Sequence, residues 1–272
     1  MITAVALVPG TALLVPGVAG RHGEVMGAIR EAAVAAVSAV LDTGVHRVVV
    51  VAPGGEDRHL VDRWTASLGS VGVAESFLAW PMPTWAPARV GARAPSPDAG
   101  APIVSAIGSA ALALVTHVAG AGCLESLEIL EVREAIADQG EGADRARQLR
   151  RLGRELARSE QRASGAVGLV VAGCLSARNG PSAPRAHDDR APAVDRAIAA
   201  DLTDGGPAAR ARLAAVPEQL AASLGISGWA PWQVMVGACG PAVLVAGGAT
   251  ATDGQLGVEY LVTSWRLLEP TA

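Results

Sequence analysis

The sequence contains no lysine, and all 22 of its basic residues are arginine. This absence excludes a lysine Schiff base and the phosphate-binding lysine of a P-loop. With 26 acidic residues the formal net charge is −4. The chain therefore lacks the basic field that neutralises nucleic-acid phosphates, and we expect no nucleic-acid partner.

Cysteine and histidine are scarce and scattered. The three cysteines lie far apart and form no Cys-x-x-Cys pair, which argues against a disulfide framework. The five histidines include no His-x-His or His-x-x-x-His pair. The apolar N-terminus lacks a basic n-region, and no uninterrupted apolar run reaches the roughly 18 residues of a membrane span. We expect a cytoplasmic protein with no signal peptide and no membrane contact.

Apolar runs that end in turn residues predict the strands of an α/β fold. The helical pattern of Gly23–Leu41 joins the first two of these runs into a right-handed βαβ unit with parallel strands. We therefore predict a single three-layer α/β/α domain over residues 1–272, with a central, mostly parallel or mixed sheet. The predicted strands are Ile2–Val8, Val48–Ala52, Ala166–Ala172, Ala242–Ala246 and Val258–Trp265.

The remaining segments are helical, ambiguous or irregular. Ile103–Val118 fits either a strand or a buried helix, because its hydrophobic periodicity does not distinguish between the two. Glu125–Ala163 predicts two charged helical pieces broken at residues 140–142, with solvated faces. Helices are also expected at Ala191–Leu202 and Ala208–Leu224, with Pro217 starting a new segment of the latter.

A proline-rich loop is predicted at residues 79–102, because repeated prolines forbid a helix or a central strand. It holds Trp80 and Trp85, and Trp229 and Trp232 also lie in a proline-containing segment. Aromatic residues in such segments line pockets or interfaces, and otherwise pack in the core. If these tryptophans line an interface, a homodimer is one expectation.

The segment 172–198 concentrates polar residues between an apolar run and a helical one. Cys174, Ser176 and His187 are its candidates for chemistry, as nucleophiles and a base. The alternative interpretation is purely structural: the segment leads into a helix that begins near Pro192, and Asp188 or Asp189 caps this helix. In that interpretation Arg190 pairs with Asp195 on the helix surface.

Five segments resemble one known superfamily. They are VALVPGTALLVPGVAG (5–20), VVVVAPGG (48–55), GCLSARNGPSAPRAHDDRAPAVDRAI (173–198), WAPWQVMVGA (229–238) and LGVEYLVTSW (256–265). Together they resemble the class III extradiol ring-cleavage dioxygenases, the LigB-like fold that includes the Memo proteins, and within it an actinobacterial branch. The resemblance implies an α/β fold with a cleft at the carboxyl edge of the sheet.

The resemblance fails at the residues that carry the chemistry. Active members of the superfamily hold Fe(II) with two histidines and a glutamate, and use a further histidine as acid and base. Here Gly10 and Gly54 stand where the two ligand histidines are expected, and Ala177 stands where the acid-base histidine is expected. Glu259 is the candidate for the ligand glutamate. One carboxylate does not make a facial triad.

Two functional hypotheses follow. In the first, the chain is a non-catalytic or non-iron LigB-like protein without a cofactor or a bound metal. Its cleft, lined by Gly10, Gly54, Arg178, Asn179 and Glu259, takes a small molecule or a protein partner. The two glycines would leave that cleft emptier and less polar than in the active members.

In the alternative, the chain is an enzyme with different chemistry in the same cleft. Cys174, Ser176 and His187 would then be catalytic, Arg178 would bind an anionic substrate, and Glu259 would be a metal ligand if a metal is bound. A narrower form is an oxidoreductase that binds Fe(II) or Zn through relocated ligands. These are drawn from His22, His59 and His117.

Overall fold

The computed structural model describes residues 1–20, 26–86, 100–120, 122–136, 142–162, 165–240, 242–248, 251–254 and 257–268. Within these residues ten strands are numbered in chain order: β1 (Ile2–Val8), β2 (Arg47–Gly54), β3 (Arg58–Leu60), β4 (Trp64–Thr65), β5 (Thr84–Trp85), β6 (Ser126–Arg133), β7 (Val167–Ala172), β8 (Val243–Gly247), β9 (Ala251–Asp253) and β10 (Tyr260–Leu268). The helices are α1 (Gly27–Leu41), α2 (Ala106–Ala119), α3 (Gly142–Arg162), α4 (Ala191–Asp204), α5 (Pro207–Ala215), α6 (Glu218–Leu224) and α7 (Trp229–Cys239).

The central sheet has a parallel core and antiparallel strands toward its edges. Its order is β3-β6-β2-β7-β1-β10-β8, and β9 pairs with β10. Strands β6, β2, β7 and β1 are mutually parallel, whereas β3 and β10 run against their neighbours. The predicted α/β class with a mixed, mostly parallel sheet is confirmed.

Helices cover both faces of the sheet because its central strands are apolar on both sides. Val48 and Val50 of β2 belong to the core under α1 and α2, and Val49 and Val51 belong to the core under α3 and α7. Such continuous runs are typical of parallel strands that are buried on both faces. The five predicted strands are all present, within one to three residues of their expected ends.

The ambiguous segment Ile103–Val118 forms helix α2. Ser105 caps it by accepting a hydrogen bond from the Gly108 N–H at 3.2 Å. Pro217 precedes α6 and starts a new helix, as expected. Of the helix predicted from Gly23, residues 23–25 lie outside the described part of the chain, and α1 is described from Gly27.

The prediction of a charged helix at the start of Glu125–Ala163 is wrong. The residues SLEILEVR form β6, an interior strand on which Glu128 and Glu131 are both buried. Partners on the neighbouring strand β3 explain this: His59 Nε2 lies 2.9 Å from Glu128, and Arg58 Nε lies 2.5 Å from Glu131. A buried carboxylate is tolerated when it is paired and hydrogen-bonded. The second charged piece forms α3, as expected.

The start of α4 also differs from the prediction. No side chain caps this helix, and Arg190 occupies the cap position. The Asp188 carboxylate accepts bonds from the backbone N–H and the guanidinium of Arg190 instead, at 2.8–3.0 Å. Asp195 does not pair with Arg190 on the surface: it is fully buried.

The tryptophans of the proline-containing segments are mostly core residues. Trp80, Trp229 and Trp232 are buried, which agrees with the core alternative, while Trp85 is partly exposed and stacks on Trp64. Of the predicted loop 79–102, residues 87–99 lie outside the described residues. None of the described helices is both long and apolar enough to cross a bilayer.

Candidate functional site

The carboxyl edge of the parallel strands has the topology of a ligand-binding edge. After β1 and β2 the chain crosses to α1 and α2 on one face, and after β6 and β7 it crosses to α3 and α4 on the other. Adjacent strands in the order β6-β2-β7-β1 thus send their connections to opposite faces. In open α/β sheets, ligands bind where connections separate in this way.

Three glycine backbones fill the base of this edge between β1 and β7. A Cβ atom on Gly10 would lie 2.9 Å from Cα of Gly173, and a Cβ on Gly173 would lie 2.3 Å from Cα of Gly228. Distances this short do not occur for real Cβ atoms, so each position requires glycine. Gly10 therefore marks a close backbone approach, and the expected void in place of a histidine is not present there.

Gly54, at the end of β2, is also closely packed. A Cβ atom there would lie 2.9 Å from Cβ of Glu131. The Glu131 carboxylate is already engaged, since it accepts bonds from Arg58 Nε at 2.5 Å and from the Ser105 N–H at 2.6 Å. It joins β6 to the start of α2, so this glycine too leaves no emptier pocket.

Cys174 lies just beyond β7, with its thiol fully enclosed. Burial raises the pKa of this thiol to about 12, although bonds with the Gly10 backbone and the Ser227 side chain act in the opposite direction. Its backbone N–H donates to Ser227 Oγ at 3.0 Å. The thiol is therefore protonated at neutral pH, which is the wrong state for a nucleophile or a soft metal ligand.

Polar groups from three other strand ends surround this thiol. Tyr260, at the start of β10, is buried, hydrogen-bonds with the side chain of Thr11 and lies close enough to Cys174 to interact electrostatically. Burial raises the pKa of the Tyr260 phenol. Glu134 lies just after β6; desolvation raises the pKa of its carboxyl, and Arg185 opposes this. The edge thus combines a neutral phenol, a hydroxyl and a neutral thiol with a carboxylate at its rim.

Ser176 is a buried structural residue. Its backbone N–H and its hydroxyl both donate to the Asp195 carboxylate, each at 2.8 Å, and Asn179 Nδ2 donates to the same group at 3.2 Å. Burial raises the pKa of Asp195, and these three bonds partly offset that effect. The network fixes the segment after β7 onto helix α4.

Glu259 lies near this network. Burial is the main cause of the raised pKa of Glu259; the negative charge of Asp195 raises it further, and Arg196 lowers it. The predicted cleft residues Asn179 and Glu259 are therefore neighbours of one buried carboxylate.

His187 and Arg178 interact within their own loop. His187 Nδ1 accepts from the Gly180 N–H at 3.0 Å, and Nε2 lies 3.2 Å from the exposed Asp189. Arg178 Nη1 donates to the Ala186 carbonyl at 3.0 Å, while its buried Nε has no hydrogen-bond partner in the described residues. The hydrogen bonds of Cys174, Ser176 and His187 thus go to three different sets of partners.

The donor set does not fit the Fe(II) centre that the sequence resemblance implies. A histidine side chain at position 10 would overlap the Gly173 backbone, and one at position 54 would overlap Glu131. Of the relocated candidates, His59 lies on the edge strand β3 and bonds to Glu128 of β6. Strand β3 is five strand positions, or about 24 Å, from β10. His117 stacks on Trp80 at 4.4 Å, and His22 lies outside the described residues.

Within the described ranges, no three His, Cys, Asp or Glu side chains are arranged to hold a metal ion. Sequence reasoning missed Asp195, Glu131, Tyr260 and Thr11, which organise the carboxyl edge. Glu131, Tyr260 and Thr11 lie near a strand end, and this position was the one signal in the sequence that could have indicated them.

Comparison with known proteins gives a structural similarity and no family assignment. No family model matches the chain, and no curated protein matches it significantly. The chain is similar to the crystal structure of an uncharacterized protein from Escherichia coli K12, with a TM-score of 0.43 and 14% sequence identity over 85% of this chain and 91% of that one.

Proposed function

We propose that this chain is a LigB-like protein that binds a small organic molecule at the carboxyl edge of its sheet and does not perform iron-dependent ring cleavage. The observation that carries the proposal is the grouping of Thr11, Cys174 and Tyr260 at the ends of β1, β7 and β10. The sequence resemblance to the LigB-like superfamily supports the same location.

The proposed ligand is uncharged and carries hydroxyl groups. Both the Cys174 thiol and the Tyr260 phenol are neutral at pH 7, since their ordinary pKa values already lie above 7 and burial raises them further. A neutral hydroxyl group is matched by such donors and acceptors without the cost of burying a charge. Arg178 Nε, a buried donor with no hydrogen-bond partner among the described residues, is a further candidate contact nearby in the sequence.

The packing at the glycines supports the proposed absence of ring cleavage. Gly10 and Gly54 cannot be replaced by a metal ligand without moving the Gly173 backbone or the Glu131 side chain. The enzyme alternative with a Cys174 nucleophile receives no support, because the thiol is held protonated and hydrogen-bonds with neither His187 nor Glu259.

Catechol, the smallest aromatic diol, is a suitable probe for the binding step. Titration into metal-free protein, followed by ¹⁵N NMR, should shift resonances at the ends of β1, β7 and β10. Tyr260→Phe and Thr11→Val should each weaken binding about 5- to 10-fold, the effect of one or two lost hydrogen bonds.

Thr252→Val, on an exposed position of β9, is the matched control and should leave the affinity unchanged. Catechol shifts confined to another part of the molecule would contradict the proposed site. Equal affinity in Tyr260→Phe, Thr11→Val and the unmodified protein would contradict it as well.

A further inference from the structure

A cavity lies at the amino edge of the sheet, opposite the carboxyl edge. It has a volume of about 370 Å³ and lies between the segment Pro81–Trp85, the C-terminal half of α2 and the start of β6. Pockets of roughly 300–1,000 Å³ accommodate small organic ligands. Leu127 lines it and is seven residues before Glu134 on the same strand segment, so the two sites are about 23 Å apart.

Rigid, ring-shaped groups form much of its wall. Pro81, Pro83, Trp85 and His117 all line the cavity. Trp85 stacks on Trp64 with 6.3 Å between ring centroids and an interplanar angle of 11°.

Buried tryptophans support these rings from behind. Trp64 is fully buried, and its indole N–H donates to the Leu127 carbonyl at 3.1 Å. His117 stacks in the same way on buried Trp80, at 4.4 Å and 17°. These walls are held in place before any ligand arrives, which reduces the entropy lost on binding.

The described residues that line the cavity include no carboxylate and no guanidinium. Among the described residues that line the cavity, His117 is the single ionisable one. A charged ligand would lose its hydration there without gaining an opposite charge, at a substantial cost. Flat apolar walls favour a planar ring, since aromatic groups stack with geometry of their own.

Two polar groups could orient a ring that carries one hydrogen-bond donor. The ring nitrogens of His117 make no hydrogen bond with the described residues, and the ring is exposed. The Thr116 hydroxyl donates to the carbonyls of Leu112 and Ala113, at 2.9 and 3.1 Å, which leaves its oxygen able to accept. Both groups line the cavity.

We propose that this cavity is a binding site for a neutral, planar aromatic molecule with one N–H or O–H donor, of which indole is the probe. The ring lies against Trp85 and the prolines, and the donor is directed to His117 or Thr116. The site is independent of the carboxyl-edge site: occupation of one predicts nothing about the other.

Indole titration followed by ¹⁵N NMR tests the proposal. Resonance shifts should be confined to residues 81–85 and 113–127. Thr84→Arg, at an exposed position of the wall, should weaken binding at least about 10-fold by introducing bulk and charge, and Trp85→Ala should do the same by removing the largest ring surface.

Two controls separate the site from general effects. His117→Ala should weaken indole binding, whereas His187→Ala, at an exposed histidine in the segment after β7 at the opposite edge of the sheet, should not. Indole-3-carboxylate should bind at least about 10-fold more weakly than indole, because its charge has no partner.

Absence of saturable binding at about 1 mM indole would overturn the proposal, since a specific site for a ligand of this size reaches about that affinity. Equal binding of the carboxylate, or unchanged binding in Thr84→Arg, would overturn it too. Thr84→Arg keeps the test decisive if Trp85→Ala fails to fold.

Discussion

Replacing Asp195 by alanine should destabilise the protein more than any nearby surface substitution does, because it breaks the contacts of the segment after β7. The Asp195 carboxylate accepts three bonds, from the Ser176 N–H and hydroxyl at 2.8 Å and from Asn179 at 3.2 Å. Both Ser176 and Asp195 are fully buried. The Ala variant therefore leaves two buried donors of Ser176 without an acceptor.

The magnitude follows from the cost of unsatisfied donors. Each buried donor left unpaired costs about 1–3 kcal/mol, so Asp195→Ala should lower the free energy of unfolding by about 3–5 kcal/mol. Ser176→Ala removes one donor and should cost about 1.5–3 kcal/mol, because hydrogen bonds to charged groups are the stronger kind. Since the two residues share one network, the double variant should lose less than the sum.

The effect should also depend on pH. Because burial raises the pKa of Asp195, the folded state binds this proton more tightly than the unfolded chain does. The stability that this group contributes is fully present below the unfolded pKa of about 3.9 and falls as the pH rises through the folded value. The difference between the unmodified protein and Asp195→Ala should therefore be larger at pH 3.5 than at pH 7.

Urea unfolding followed by circular dichroism measures these quantities. Asp189→Ala is the matched control: its carboxylate is fully exposed, and the loss should be within about 0.5 kcal/mol. A loss below about 1 kcal/mol for Asp195→Ala would refute the structural role assigned to the Ser176 network.

Three further predictions concern other parts of the fold. Exposed Cys123 should react with a thiol reagent at pH 8, whereas Cys174 should stay unreactive until the protein unfolds, because burial raises the pKa of Cys174 to about 12; rapid modification of Cys174 in the native state, seen by peptide mass spectrometry, would contradict this. Gly10→Ala should cost about 1–3 kcal/mol in urea unfolding, since its Cβ would lie 2.9 Å from a backbone atom, and a neutral effect would contradict the close approach. Asp57→Asn should cost about 1–2 kcal/mol at pH 7 after allowance for solvent screening, because Asp57 accepts two bonds from Arg145. Burial opposes these bonds but does not cancel them, so the pKa of Asp57 stays lowered. The loss of stability in Asp57→Asn should therefore shrink as the pH falls below about 4. A loss that grows in acid would contradict the pairing with Arg145.

The sequence predicted the elements whose signals are local. The valine-rich run in β2, the apolar run of β7 and the proline before α6 each determine their own structure through β-branching, burial or a fixed φ angle. These elements are sufficient to give the fold class and the location of the carboxyl edge.

The sequence could not predict features that depend on partners distant in the chain. Glu128 and Glu131 made β6 look like a charged helix, because the side chains of Arg58 and His59 that pair with them lie about 70 residues earlier. Asp195 looked like a surface helix residue for the same reason: its Ser176 donors belong to another element. Gly10 suggested a missing ligand, whereas its contact with Gly173 is visible only in three dimensions.

The most direct test of the account is a ring-cleavage measurement on protein incubated anaerobically with Fe(II), then mixed with catechol and oxygen. The account predicts catechol binding at the carboxyl edge and no ring-opened product, because Gly10 and Gly54 supply no metal ligands and a side chain at either position would overlap its neighbours. Stoichiometric Fe(II) at that edge together with catalytic formation of the ring-opened product would contradict it.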